Sequence, residues 1–368
     1  MICLLQYNDD MKPNRFPIPF LFLSILALLF ALWAGLMRLG WQLPALTPTL
    51  ALAHGPLMVS GFLGTLITLE RAVAIKQKWM YLPPLLAGLG GLLTLLIPSL
   101  PLGPVLLALA SLGGIGILSV MTRREPALHT FTMLFGMVIW FIGNILWLFG
   151  WQIFQIVFFW QAFLVLTITG ERLELSRVLH PSRRQQTLFG IIVLIFLIGT
   201  FTSLFNIQFG TRAVGVALVF ISLWSLRNDI AWRNLNHALP LTRYIAWCLA
   251  LGFVWLGVGG GLNLIFGAQA AGPRYDAVLH VVFIGFVISM IFGHAPIIFP
   301  AVLGVPINFQ PAFYVQLILL HASLALRVIA DYVNQHSLRM WGGLLNEVAI
   351  LFFMGMTIYS VRKSIAGK

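Results

Sequence analysis

Charge is what this chain has least of. Only 9% of its 368 residues are Asp, Glu, Lys or Arg, against roughly 25% in an average soluble domain. Hydrophobic residues make up 60% of it, with a mean hydropathy of +0.96. This balance excludes a soluble globular protein and points to an integral membrane protein in a lipid bilayer. Acidic side chains are the scarcest, 10 against 22 Lys and Arg, for a net charge of +12. That excess would suit nucleic acid, but the cations lie in short loops between apolar runs, where they act as topology signals, so nucleic acid is not an expected partner. Cysteine is nearly absent. Cys3 in the leader and Cys248 inside an apolar stretch exclude a disulfide framework and any CxxC-type metal or haem-attachment motif. A cleavable signal is missing as well: MICLLQYNDDMKPNRF is polar, and the apolar stretch behind it is long enough to span.

Long apolar runs are what the chain does have. A membrane-crossing helix needs about 20 apolar residues, and that ruler predicts twelve spans: 17–38, 48–72, 81–99, 102–121, 127–149, 154–175, 187–206, 210–227, 241–266, 276–299, 313–333 and 342–361. Pro98, Pro101 and Pro104 break spans three and four apart, and Pro306 and Pro311 do the same for ten and eleven. The expected organisation is a cytoplasmic leader over 1–16, a single twelve-helix domain over 17–362 and a cytoplasmic tail over 363–368. Orientation follows from the cations. Lys12, Arg15, Arg71, Lys76, Lys78, Arg123, Arg124, Arg172, Arg177, Arg183, Arg184, Arg227, Arg233, Arg243, Arg362, Lys363 and Lys368 fall on one side. The other side receives only Arg38, Arg212, Arg274 and Arg339. The pattern predicts both termini in the cytoplasm, and the setting is the bacterial cytoplasmic membrane.

Direction assigns depth. Spans two and ten both run inward, which puts His54 and His280 roughly 7 Å below the outer boundary at about 1.5 Å per residue. Two imidazoles at one level can share a metal, and a neutral imidazole is a standard haem-iron ligand. Small residues follow each, Gly55, Ser60, Gly61 and Gly64 in one span, Gly285 and Gly293 in the other. The bland alternative is ordinary helix packing with a histidine bonded to a neighbouring helix. Haem propionates would need a cation near the outer surface, and Arg327 in span eleven is the candidate; snorkelling or pairing with Asp331 one turn on is the alternative. His129 and His294, both toward the inner face, form a possible second metal or haem site; otherwise His294 caps or kinks a helix end. The pairs Glu70–Arg71 and Glu171–Arg172, with Glu174, anchor their helices at the inner interface or serve proton entry. A transporter or structural bundle without cofactor, using the same His and Arg as a polar pathway, is the competing class. The glycines Gly257, Gly259, Gly260 and Gly261 in span nine are the one strong local weakness that such a mechanism would use.

With these residues in view the chain resembles subunit I of the haem-copper oxidases. AHG followed by a Met-containing apolar run on the second of twelve helices, and a histidine on the tenth, are the low-spin haem ligands of that family; His54 and His280 match them. The resemblance implies an all-α bundle of twelve helices in three arcs of four, and makes Arg327 a propionate partner. The family's catalytic ligands do not match. Val278 stands where the second haem's histidine belongs, span six offers Gln155, Trp160 and Gln161, and span seven has no histidine. The resemblance therefore implies no functional oxygen reductase, and is nearer to the NnrS group of haem- and copper-containing membrane proteins linked to nitric oxide metabolism. His280, Gly285, Met290, Gly293, His294 and Arg327 follow that group's pattern. It implies a haem b protein of electron transfer, redox sensing or nitric oxide chemistry, with copper as a further cofactor and a quinol or another redox protein as partner.

Overall fold

A computed structural model describes residues 14–305 and 307–366. Cys3, Lys12, most of the 1–16 leader, Pro306 and Lys368 lie outside the described residues. Among the described residues there is no strand, and twelve helices are long and apolar enough to cross a bilayer. In chain order they are α1 Ile18–Leu39, α2 Leu50–Ile75, α3 Lys78–Leu96, α4 Leu102–Arg124, α5 Leu128–Leu148, α6 Ile153–Leu179, α7 Arg183–Thr202, α8 Ile207–Asn228, α9 Pro240–Phe266, α10 Pro273–Leu303, α11 Phe313–Tyr332 and α12 His336–Lys363. The expected count of twelve stands, and the chain is a multi-pass membrane protein.

The outer surfaces carry the membrane signature. On α7, Leu188, Ile191, Leu194 and Ile198 form an exposed stripe at helical spacing, while Phe189, Ile192, Val193 and Phe196 are buried. A helix apolar on both faces has no stable place in water, so the exposed stripe meets lipid. Helix ends follow local chemistry. Gly40, with φ of 104°, closes α1 by returning its N–H to Leu36 and Met37. Ser182 accepts from the Gln185 backbone N–H, and the Gln185 side chain caps Ser182 in return, starting α7. Ile97 to Pro101 separate α3 from α4 where the prolines predicted a break. At the far end of α10 prolines act differently: Pro296 and Pro300 sit inside the helix, which runs to Leu303. The start of α12 also lies outside its expected bounds, since His336 begins the helix and both His336 and Arg339 belong to its first turn instead of a loop.

Contacts divide the chain into two compact units, one covering Asn14–Phe163 and the other beginning at Leu164, so that the division falls within α6. In the first, α2 packs on α1 and α3 through glycine. A Cβ on Gly91 would stand 2.6 Å from the Gly61 Cα, so the two backbones touch. A buried polar knot fixes the same helix. The Trp140 indole donates to Ser60 at 2.9 Å, Trp160 donates to the Asn144 carbonyl at 3.0 Å, and the Asn144 amide donates to the Leu107 carbonyl and Ser111 hydroxyl. In the second unit, α8 and α9 meet where a Gly260 Cβ would lie 2.6 Å from the Gly215 carbonyl oxygen. Gly257, Gly259 and Gly260 are thus packing surfaces, whereas Gly261 faces open space, and the helix runs unbroken for 27 residues.

One interior ion pair alters the expected anchors. Arg172 is buried and binds Asp229 through two bonds, 2.9 and 2.7 Å, both partners lying in the second unit. It is a neutralised core cation and not a surface topology signal. Arg71 and Glu171 are buried too, while Glu70 and Glu174 are half-buried.

Candidate functional site

His54 opens the α-helical part of α2, just after a short 3-10 turn over Leu50–Ala53. Its Nδ1 lies 2.8 Å from the Ala31 carbonyl of α1. A carbonyl only accepts, so Nδ1 carries the proton and the lone pair of the neutral ring is on Nε2. Three residues on, the backbone widens into a π-helix over Leu57–Gly64 before returning to α geometry at Thr65. Gly55 leaves the wall beside the histidine free for Trp160, whose ring a Cβ there would meet at 3.5 Å.

His280, in the other unit, repeats this local pattern. It ends the α-helical segment Pro273–His280, and a π-helix over Val281–Ile288 follows at once. Its Nδ1 lies 2.9 Å from the Asp276 carbonyl oxygen one turn back and 3.1 Å from the Asp276 carboxylate. Again Nε2 is the nitrogen with the lone pair. π-helical stretches in α-helices are rare and concentrate at functional sites, and these two helices each begin an eight-residue one within three residues of a histidine.

Arg327 stands beside His280, but its two-pronged bond goes to Asp276, at 2.7 Å for each prong, and not to Asp331. The guanidinium Nη2 is 3.4 Å from both ring nitrogens of His280, so it lies against the imidazole without aiming at one lone pair. Gly342 of α12 permits this: a Cβ there would come within 2.8 Å of the Arg327 backbone. Asp331 instead faces Arg339 at 3.8 Å. Asp276 is the residue that sequence reasoning passed over. Its signal was available, an acidic residue four positions before a histidine at the start of an apolar span in a chain with 10 acidic residues.

The remaining histidines differ in their bonding. His294 is buried, its Nδ1 2.7 Å from the Met290 carbonyl, and so shares the tautomer of His54 and His280. His129 is buried near the start of α5, with Nε2 3.9 Å from Glu125. His321 has the opposite tautomer. Trp255 donates to its Nδ1 at 2.9 Å, so the proton is on Nε2, which faces the Ser289 hydroxyl at 3.3 Å.

The donor chemistry fits a haem with imidazole ligands: His54 and His280 each offer Nε2 with Nδ1 tied down, the arrangement metal-bound histidines adopt. Among the described residues no three His, Cys, Asp or Glu side chains converge, so the donors found are pairs at most. A family model described as a domain of unknown function, DUF8744, matches residues 15–362. The chain belongs to this family. No curated protein and no solved structure matches it. Within this DUF8744 chain, the candidate residues that its own geometry singles out are His54, His280, Asp276 and Arg327.

Proposed function

We propose that the protein is a b-type haem protein of the bacterial cytoplasmic membrane, with both termini in the cytoplasm and a helix arrangement like that of haem-copper oxidase subunit I. His54 and His280 are the residues that would hold the haem, each through Nε2. The observation that carries this is the shared local design: a histidine with Nδ1 bonded to a backbone carbonyl, followed at once or within three residues by a π-helix, in the two spans that the sequence singled out. Matched depth under the charge pattern supports one haem taking both ligands. A bis-imidazole haem supplies one-electron redox chemistry with no open coordination position, which suits electron transfer or redox sensing. Nitric oxide chemistry of the NnrS kind needs one ligand to leave.

The chain's own residues set the conditions. Asp276 accepts from His280 Nδ1, which raises the basicity of Nε2 and fixes the ring plane. Arg327 orients the Asp276 carboxylate with two bonds, and so acts on His280 through it; propionate binding would compete with those bonds. Copper and a second site at His129 and His294 have weaker support, because the described donors come in pairs and His129 faces a carboxylate.

The test is the visible spectrum of the purified protein reduced with dithionite. A sharp low-spin b-haem alpha band is expected. His54→Ala and His280→Ala each abolish it or convert it to high spin, whereas His129→Ala leaves it intact. Loss of half the band in each single variant marks two separate haems. Absence of any haem band in protein purified from haem-replete cells refutes the assignment.

A further inference from the structure

In the second unit α7 and α8 run antiparallel, and their spacing changes along their length. At the loop end they touch through glycine: a Cβ on Gly199 would stand 2.8 Å from the Val214 backbone nitrogen. At the other end two rings stand between them, Phe189 and Trp224, with centroids 4.7 Å apart. Glycine lets helix backbones meet and large side chains hold them apart, so the pair opens as a wedge toward the start of α7. Two bonds fix the wide end. The Gln185 side chain donates to Asn228 at 2.6 Å, and the Trp224 indole donates to the Gln185 carbonyl at 3.0 Å. They hold Arg184 and Arg227, the residues just before Gln185 and Asn228, at one level.

Helical geometry places both arginines on the same side of the wedge. At about 100° per residue, Arg184, Leu188 and Ile191 share a face of α7 roughly a third of a turn from Phe189 and Phe196. On α8, Phe220, Leu223 and Arg227 lie roughly a third of a turn, in the same rotational sense, from the line of Gly210, Val214 and Trp224. The same sense on two antiparallel helices means the same side of the groove. All six of these side chains are exposed. The groove therefore has apolar walls along its length and a guanidinium group on each side of its wide mouth.

No acid answers these cations. Among the described residues neither Arg184 nor Arg227 has an ion-pair partner, and Asp229, two positions beyond Arg227, gives both oxygens to Arg172. Guanidinium groups meet a phosphate with paired, charge-assisted bonds. A zwitterionic headgroup would bring a further cation to a place with no spare carboxylate, whereas an anionic headgroup brings none. Basic pockets between membrane helices are where such headgroups settle.

We propose that the α7–α8 groove binds one anionic phospholipid of the surrounding bilayer, with its phosphate between Arg184 and Arg227 and its acyl chains against Leu188 and Ile191 on one wall and Phe220 and Leu223 on the other. The site does not depend on the haem assignment, and its test reads no haem signal.

The experiment is native mass spectrometry of the delipidated full-length protein in an uncharged detergent, titrated with dioleoyl phosphatidylglycerol or dioleoyl phosphatidylcholine. One phosphatidylglycerol is expected to bind about fivefold or more tighter than phosphatidylcholine of the same chains. Arg184→Gln and Arg227→Gln each weaken phosphatidylglycerol about fivefold, the worth of one Arg against an anionic headgroup, and remove most of the preference. Arg183→Gln, about 100° round α7 from Arg184 and off the groove, leaves both affinities within about twofold. Equal affinity for the two lipids, or an equal loss from Arg183→Gln and Arg184→Gln, overturns the site and leaves only diffuse surface charge. Displacement of the lipid by equimolar glycerophosphoglycerol, which has the headgroup without the chains, overturns the part assigned to the groove walls.

Discussion

Asp276→Asn separates a structural ion pair from a set of ordinary hydrogen bonds. Arg327 and Asp276 have side chains only 7% and 18% exposed and share two bonds of 2.7 Å. Neutral hydrogen bonds inside membrane proteins average about 0.6 kcal/mol. Were the pair no more than that, the variant would lose about 1 kcal/mol. Removing one partner of a buried ion pair instead strands a charge, at about 3–5 kcal/mol. The carboxamide oxygen of the variant still accepts from the guanidinium, which places the expected loss at the lower end, about 3 kcal/mol. At roughly 2–3 °C per kcal/mol for a unit of this size, the unfolding midpoint falls by about 6–9 °C. Cys248, a buried free thiol, provides the readout: in a Cys3→Ser background, a maleimide dye in detergent fluoresces only as Cys248 becomes exposed. Adding Arg327→Met to Asp276→Asn removes the stranded charge and restores the midpoint to within about 3 °C of the parent. A single variant melting within about 2 °C of the parent, or a double variant less stable than the single, would refute the reasoning.

Three further outcomes are expected. Gly91→Ala drives a methyl into the Gly61 backbone and costs about 1–3 kcal/mol, whereas Gly261→Ala, with open space around it, leaves the midpoint unchanged or raised; thermal unfolding compares the two. Asn144→Leu deprives the buried Trp160 indole of its acceptor, for a loss of about 1–3 kcal/mol that Gln161→Leu does not share. Topology is checked with a membrane-impermeant maleimide on a background lacking native cysteines: Ala271→Cys labels in intact cells, and Arg184→Cys labels only after permeabilisation.

Much of the architecture was legible in the chain. Twelve spans followed from the lengths of apolar runs, because a helix crossing hydrocarbon must satisfy its backbone internally over a fixed thickness. Local boundaries were harder where a residue's usual role gave way to packing. Proline ordinarily breaks a helix, yet Pro296 and Pro300 sit inside α10, which runs to Leu303, past its expected end at 299. The glycines of α9 read as a weak point, although Gly260 is where α8 makes close backbone contact. Arg172 was counted among surface cations because its counter-ion, Asp229, is far away in sequence.

The candidate site shows the same division. The sequence by itself determined that His54 and His280 are polar residues in the starts of two apolar spans, and that few acids exist to accompany them. It determined the membrane setting, since composition and run length are properties of the chain alone. Only the tertiary structure decided which nitrogen each histidine presents, because a tautomer is set by the partner of the other nitrogen: Ala31 on another helix for His54, Trp255 and Ser289 for His321. It also decided that Arg327 belongs with Asp276 and not with Asp331. Helical spacing favours a neighbour four residues on, but a buried guanidinium goes to the carboxylate that can meet it with two bonds, and here that carboxylate comes from another helix.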